Sequence, residues 1–103
     1  FALDSDPMVR SYAILALGKM NLPEHADMLV ERLSVERDYW PRIQLAGAVQ
    51  NMRLHKAIDS LIEWLGEDDQ NIRAASLRAL RAITGQNVGS DKASWEDWRA
   101  KSK

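Results

Sequence analysis

The sequence predicts an all-α chain, an α-solenoid (superhelix) of stacked helical hairpins, and three observations carry that prediction. A DxxxR pattern occurs three times, at Asp6/Arg10, Asp38/Arg42 and Asp69/Arg73, with starts 32 and then 31 residues apart. Behind each copy, apolar residues recur at helical spacing in a shared register. A second apolar stripe follows in the first two copies, Ala26, Leu29, Val30 and Leu33 matching Ile58, Leu61, Ile62 and Leu65 at an offset of 32. Hairpins of fixed period that hide their apolar faces against their neighbours are how a solenoid is written in sequence.

The first helix of the first unit is "DPMVRSYAILALGKM", Asp6 to Met20. Asp6 is an N-cap residue, and Pro7 occupies the first helical position, where a missing N–H costs nothing. In the common register the expected core slots read Val9, Pro41 and Ile72, then Ala13 and Leu45, then Ala16, Ala48 and Ala79, then Leu17, Val49 and Leu80, then Met20, Met52 and Ile83. Short turns, "NLPEH" and "RLHK", lead into the second helices, whose i, i+3, i+4, i+7 sets give each an apolar stripe. After the third first helix the register changes. Six residues separate Met20 from Ala26 and Met52 from Ile58, but twelve separate Ile83 from Trp95.

The tail "TGQNVGSDKASWEDWRAKSK" therefore inserts a glycine-bearing loop before a short helix expected to start around Ser90 or Asp91. With Trp95 and Trp98 in the slots of Ile58 and Leu61, Arg99 and Ser102 stand where the core stripe would continue. A helix that is polar where a further unit would dock reads as a terminal cap. The expected organisation is one domain over 1–103, with units at about 6–33, 38–65 and 69–103 and with 86–103 as the C-terminal cap. The opening "FALDSD" reads as the last turn and loop of an earlier second helix, as "WLGEDD" is before the third copy. The expectation is a fragment of a longer array, whose open N-terminal end would favour self-association through an uncovered apolar face.

Composition narrows the classes of function. Hydrophobic residues make up 46% and charged residues 28%, the balance of a soluble globular domain, and every apolar run is broken by charge well short of the roughly 18 residues a membrane span needs. The absence of cysteine excludes disulfides, thiolate metal sites and a cysteine nucleophile. It leaves the compartment unknown, with the cytoplasm as the default. A net charge of −1 supplies no general attraction to nucleic acid or anionic lipid.

The ankyrin TPLH stretch and the tetratricopeptide markers are missing from this sequence. "DPMVRSYAILALGKM" instead resembles the HEAT-like repeat, in the short form also seen in phycobilisome lyase subunits, whose pattern runs DxxVRxxAxxALG. Asp6, Val9, Arg10, Ala13, Ala16, Leu17 and Gly18 match it position for position. The third copy keeps Asp69, Arg73, Ala79 and Leu80, and the second departs most, with Pro41, Leu45 and Gln50 in place of the pattern's valine, alanine and glycine. The likeness covers most of residues 1–85, and the closing TGQxxG turn with its Trp-bearing helix is similar to the ends of bacterial HEAT-like proteins. The resemblance implies an interaction surface, with second helices lining the concave side.

Candidate site residues follow from charge and aromatic placement. First helices carry Arg10, Lys19, Arg42, Arg53, Arg73, Arg78 and Arg81, whereas second helices carry Glu24, Asp27, Glu31, Asp59 and Glu63 against Arg32 and Lys56. With the resemblance, this implies a mildly acidic groove suited to a basic or apolar protein segment. Tyr39 and Trp40 form an aromatic pair in a first turn; Trp40 is expected mainly to refill volume lost at Pro41, with an exposed interface anchor as the other reading. Asp6, Arg10, Asp38, Arg42, Asp69 and Arg73 read as a structural ladder, each Asp capping a helix and pairing with the Arg four residues on, which also reaches the neighbouring unit. His25 and His55 read as turn histidines, short of the ligands a metal needs. Ser34, Ser60 and Ser76 have no histidine in a recognisable motif, and no Gly-rich phosphate loop or HExxH signature occurs.

The expected function is a non-enzymatic protein–protein interaction scaffold with an unidentified protein partner, no cofactor, no metal and no membrane contact. The alternatives are a subunit of a bilin-lyase-like enzyme and nucleic-acid binding through the Arg-bearing first helices, the latter disfavoured by the charge balance.

Overall fold

A computed structural model describes residues 5–102. Six α-helices follow one another: α1 (Pro7–Met20), α2 (Ala26–Val35), α3 (Tyr39–Asn51), α4 (Ile58–Trp64), α5 (Gln70–Thr84) and α6 (Lys92–Ser102). Short 3-10 turns, Pro23–His25 and His55–Ala57, lead into α2 and α4, and no strand occurs among the described residues. The reading of Phe1 to Asp4 as the end of an earlier helix lies outside those residues.

The helix starts are where the aspartates place them. Asp6 Oδ1 accepts the N–H groups of Met8 at 2.9 Å and Val9 at 3.4 Å, and Asp69 Oδ1 accepts those of Asn71 at 2.7 Å and Ile72 at 3.3 Å. These bonds satisfy donors that the first turn leaves without partners. Asp38 holds the same slot ahead of α3 but makes no side-chain cap bond, since its carboxylate is turned to Arg10. Ahead of α6, Asp91 takes the cap role and its carboxyl is held below the ordinary range, first by the Ser94 N–H and then by the Ser94 hydroxyl. The last helix starts at Lys92, one residue past the expected Asp91.

Helices α1, α3 and α5 form one row, α1 packing on α3 and α3 on α5. The shorter α2 and α4 lie against α3 and α5 as the other layer, touching each other, and α6 closes on α4. Between the layers run Ile14, Leu29, Leu33, Leu45, Val49, Leu61, Ile72, Leu80 and Trp95, all fully buried or nearly so. None of these helices could hold its shape in isolation, because each buries its stripe only on its neighbours.

The α1/α3 crossing is unusually close, for a reason visible in the sequence. A Cβ on Gly18 would stand 2.8 Å from Ala48 Cβ and 2.9 Å from Ala48 Cα, nearer than real side chains come. The Asn51 side chain donates to the Gly18 carbonyl at 2.8 Å and ties the two helices at that point. Gly18→Ala is therefore expected to destabilise the fold by about 1–3 kcal/mol through overpacking, although alanine is the better helix former by about 0.5–1 kcal/mol. Urea unfolding of the two proteins side by side checks this; a gain in stability would mean the crossing can open without cost.

One expected feature of α1 is corrected. Ala48 and Ala79, Pro41 and Ile72, and Ile83 are buried as the register requires, but Val9, Ala16 and Met20 are exposed. The buried side of α1 is Arg10, Ser11, Ile14, Leu17 and Gly18. Ala48 occupies the slot of Ala16 and meets Gly18 of α1, so that slot faces the helix in front. Among the described residues nothing stands in front of α1.

Candidate partner-binding surface

The arginines of the DxxxR pattern hold the loops ahead of α3 and α5. Arg10 lies flat against Glu36, Nε to Oε1 and Nη2 to Oε2 both at 2.8 Å, while Nη2 also bonds Asp38 and Nη1 donates to the Ser5 carbonyl at 3.0 Å. Glu36 is 1% exposed and accepts further bonds from Arg32 Nε at 3.1 Å and from the N–H groups of Arg37 and Asp38 at 3.2 Å each. Burial alone pushes this carboxyl up, but the Arg10 guanidinium, the Asp38 N–H and Arg32 outweigh it and hold the pKa at about 2. On α3, Arg42 Nη2 meets Glu67 Oε1 at 2.7 Å, and its guanidinium carbon sits 4.8 Å from the Trp64 ring centre. Arg73 donates to the Glu67 and Asp68 carbonyls at 2.7 Å each.

The reach of an arginine to the aspartate of the next DxxxR copy occurs at Arg10 and Asp38. Arg42 turns forward to Glu67 rather than back to Asp38, and Arg73 turns to backbone carbonyls. The main acceptors, Glu36 and Glu67, were not singled out from sequence. A signal was available, because an acid stands two residues before each DxxxR copy: Asp4, Glu36 and Glu67. Its first member lies outside the described residues.

Of the acidic residues expected to bind a partner, Asp27 and Glu31 sit on α2, Asp59 and Glu63 on α4 and Glu24 in the 3-10 turn before α2, and three of them are tied to a later element. Asp27 pairs with Lys56 at 3.5 Å, Asp59 with Arg99 at 2.9 Å and Glu63 with Lys92 at 3.3 Å. Glu24 and Glu31 are exposed and outside every ion pair found among the described residues. Such exposed pairs each contribute about 0–1 kcal/mol, so they set the spacing of the helices more than their stability. They also cancel part of the negative charge expected on this side.

Two grooves adjoin along α4. One of about 550 Å3 opens between α2 and α4 and is lined by Ser34, Arg37, Arg42, Glu63, Trp64 and Glu67. The other, about 400 Å3, lies between α4 and α6 and is lined by Asp59, Ser60, Ile62, Glu63, Glu96 and Arg99. Ser60 and Glu63 belong to both. Asp59 and Glu63 thus come together on one surface, while Tyr39 and Trp40 line neither groove.

Trp40 does not refill the core. It is 51% exposed, packs edge-on against half-buried Tyr39 with ring centres 4.9 Å apart, and leaves Pro41 to be buried in its own right. The first-turn position points Trp40 away from the apolar stripe, which leaves the exposed-anchor reading standing. Trp64 is buried under Arg42, Trp95 is fully buried, and Trp98 packs edge-on against Trp95. His25 and His55 lie in the two 3-10 turns, and no cluster of three His, Asp or Glu side chains suited to a metal occurs among the described residues. With Arg10, Arg42 and Arg73 engaged in loops, the exposed cations of the first helices are Lys19, Arg78 and Arg81, while Arg53, expected on a first helix, falls in the turn past the end of α3 because the chain leaves the helix after Asn51 and Arg53 takes a positive φ. No helix is long and apolar enough to cross a membrane among the described residues.

Comparison with family models, with curated proteins and with solved structures found no match to this chain.

Proposed function

We propose that this chain is a segment of a HEAT-like α-solenoid acting as a non-enzymatic protein-binding scaffold, and that an extended basic and apolar segment of a partner lies along α4. The observation that carries this is the pair of adjoining grooves on the second-helix side that share Ser60 and Glu63 as lining residues. Support for the solenoid comes from the 32- and 31-residue spacing together with the row formed by α1, α3 and α5. The two grooves are walled by Asp59, Glu63, Glu67 and Glu96 against Arg37, Arg42 and Arg99, and Glu31 stands exposed on α2. Lysines of a partner can replace Lys56, Lys92 or Arg99 in exposed ion pairs at little cost, because those pairs are weak. Leucine-type side chains meet Ile62 and Leu33 at the groove floors.

A fluorescein-labelled Leu/Lys amphipathic peptide and its Leu/Glu counterpart test the reading by anisotropy at low and high salt. The Leu/Lys peptide is expected to bind preferentially, and Glu31→Lys with Asp59→Lys is expected to weaken it by about 1–2 kcal/mol, or roughly tenfold. Equal binding of both peptides, or indifference to the two reversals, would remove the groove from consideration.

A further inference from the structure

We infer that the outer face of the first helices holds a second binding surface, a groove centred on Gly47 that takes an acidic partner segment anchored by one apolar side chain. The groove, about 260 Å3, runs between α1 and α3 and is lined by Leu15, Gly18 and Lys19 on one side and by Gly47, Ala48 and Asn51 on the other. Gly47 lies two residues from both Leu45 and Val49, so it faces away from the core they fill and from α2 and α4. Nothing inside the fold asks for glycine there. A Cβ on Gly47 would meet no atom within 4 Å, whereas one on Gly18 would strike Ala48, and glycine weakens a helix interior relative to alanine. What the missing side chain leaves is room for another molecule to approach the backbone of α3.

Charge selects the chemistry of the occupant. No Asp or Glu occurs within α1, α3 or α5. Lys19, Arg78 and Arg81 are exposed and stand outside every ion pair found among the described residues. Lys56, Lys92, Arg99 and Lys101, by contrast, each meet an acid of their own chain. Lys19 belongs to the groove wall, Arg78 holds on α5 the slot that Gly47 holds on α3, 31 residues earlier, and Arg81 follows one turn later. A segment whose carboxylates meet these cations and whose apolar side chain enters beside Leu15 and Gly47 satisfies both features. Nucleic acid fits less well, since so few cations neutralise few phosphates and the groove is mostly apolar. The groove also survives any helix packed in front of α1. Gly47 and Asn51 occupy the slots of Leu15 and Lys19, and both are exposed although α3 is flanked by α1 and α5.

Amide NMR of the isotope-labelled chain, titrated with a short peptide carrying one leucine between pairs of aspartates, reads the site as well as the affinity. Shifts are expected at the amides around Leu15, Lys19 and Gly47, with a dissociation constant on the order of 0.1–1 mM that weakens about threefold when salt is raised. Gly47→Leu fills the groove and should cut the affinity about tenfold. Lys19→Glu with Arg78→Glu should do the same through charge, by about tenfold. Gly47→Ala is expected to raise the melting temperature by about 2–8 °C, and circular dichroism verifies that the other variants keep the fold. The inference is overturned if the amides of α1 and α3 stay unmoved up to about 2 mM peptide, or if binding survives either the filled groove or the double reversal. Equal binding of a peptide with serine for its leucine, or lysines for its aspartates, overturns it as well, and so does a lower melting temperature in Gly47→Ala. Oligothymidylate shifting the same amides more strongly than the peptide would assign this face to nucleic acid instead. Glu31→Lys with Asp59→Lys should leave the peptide's binding here unchanged, so this surface and the grooves along α4 fail separately.

Discussion

Glu36→Gln is expected to lower the stability of this fold by about 3–5 kcal/mol, because it leaves the buried Arg10 guanidinium without its main counter-charge. For a domain of this size that is a fall of about 15–30 °C in melting temperature. The cost is large because the bond geometry is two-pronged and both side chains are almost fully removed from water. Asp38 retains part of the interaction, which places the effect toward the lower end of the range. The comparison that isolates the charge is the double variant Arg10→Met with Glu36→Leu: replacing both partners by apolar groups should return most of the lost stability. Urea unfolding of the single and double variants decides it, and a double variant no better than the single would mean that the loop, rather than the pair, needs this geometry.

The same carboxyl sets a pH dependence with a definite sign. Its folded-state pKa is about 2, lowered from an ordinary 4.5, so the unfolded chain binds the proton first as pH falls. The stabilisation is complete above about pH 4.5 and drains away between there and about pH 2. Thermal melts across that window should show wild type losing more stability than Glu36→Gln. Parallel curves would place the acid sensitivity elsewhere.

Trp95→Ala should cost a comparable amount, about 3–5 kcal/mol, by opening a cavity where the largest fully buried side chain stands. The indole also donates from Nε1 to the Gly89 carbonyl at 2.9 Å, anchoring the loop that precedes α6. Without it α6 should detach from α4, and the Asp59–Arg99 and Glu63–Lys92 pairs should go with it. Hydrogen exchange separates local from global loss: the α6 amides should lose protection far more than those of α1 and α3. A uniform loss along the chain would show that α6 is integral to the fold rather than a closing element. Trp95→Phe, which keeps most of the volume and forfeits the indole bond, should lose about 1–2 kcal/mol.

Much of the helix order was legible because its determinants are local. Asp6 and Asp69 cap because an aspartate carboxylate reaches N–H groups two and three residues on. The stripes Leu29 and Leu33, Leu61 and Leu65, and Ala79 and Leu80 are buried as their spacing required. The long loop before Trp95 was visible as a break in register, and its helix begins within a residue of expectation. The candidate site was less legible. The acids of α2 and α4 were visible as charges, but their pairing with Lys56, Lys92 and Arg99 depends on which helices become neighbours. Trp40 was misplaced because exposure of a first-turn residue depends on how closely Pro41 lets the helix sit on the core.

By itself the sequence determined the caps at Asp6 and Asp69, the helical periods and the break in register before the last helix. Those are short-range matters of backbone donors and a repeat of 3.6 residues. Only the tertiary structure decided that Arg10 closes on Glu36, that Arg42 reaches Glu67 across the Trp64 ring, and that Ile14 and Leu17 rather than Val9 and Ala16 form the buried side of α1. An arginine side chain can swing to any acid within several ångströms, and an apolar stripe is core or surface according to what lies beside it. Periodicity gives the direction in which a residue points along its helix, and the neighbouring helix supplies what it meets.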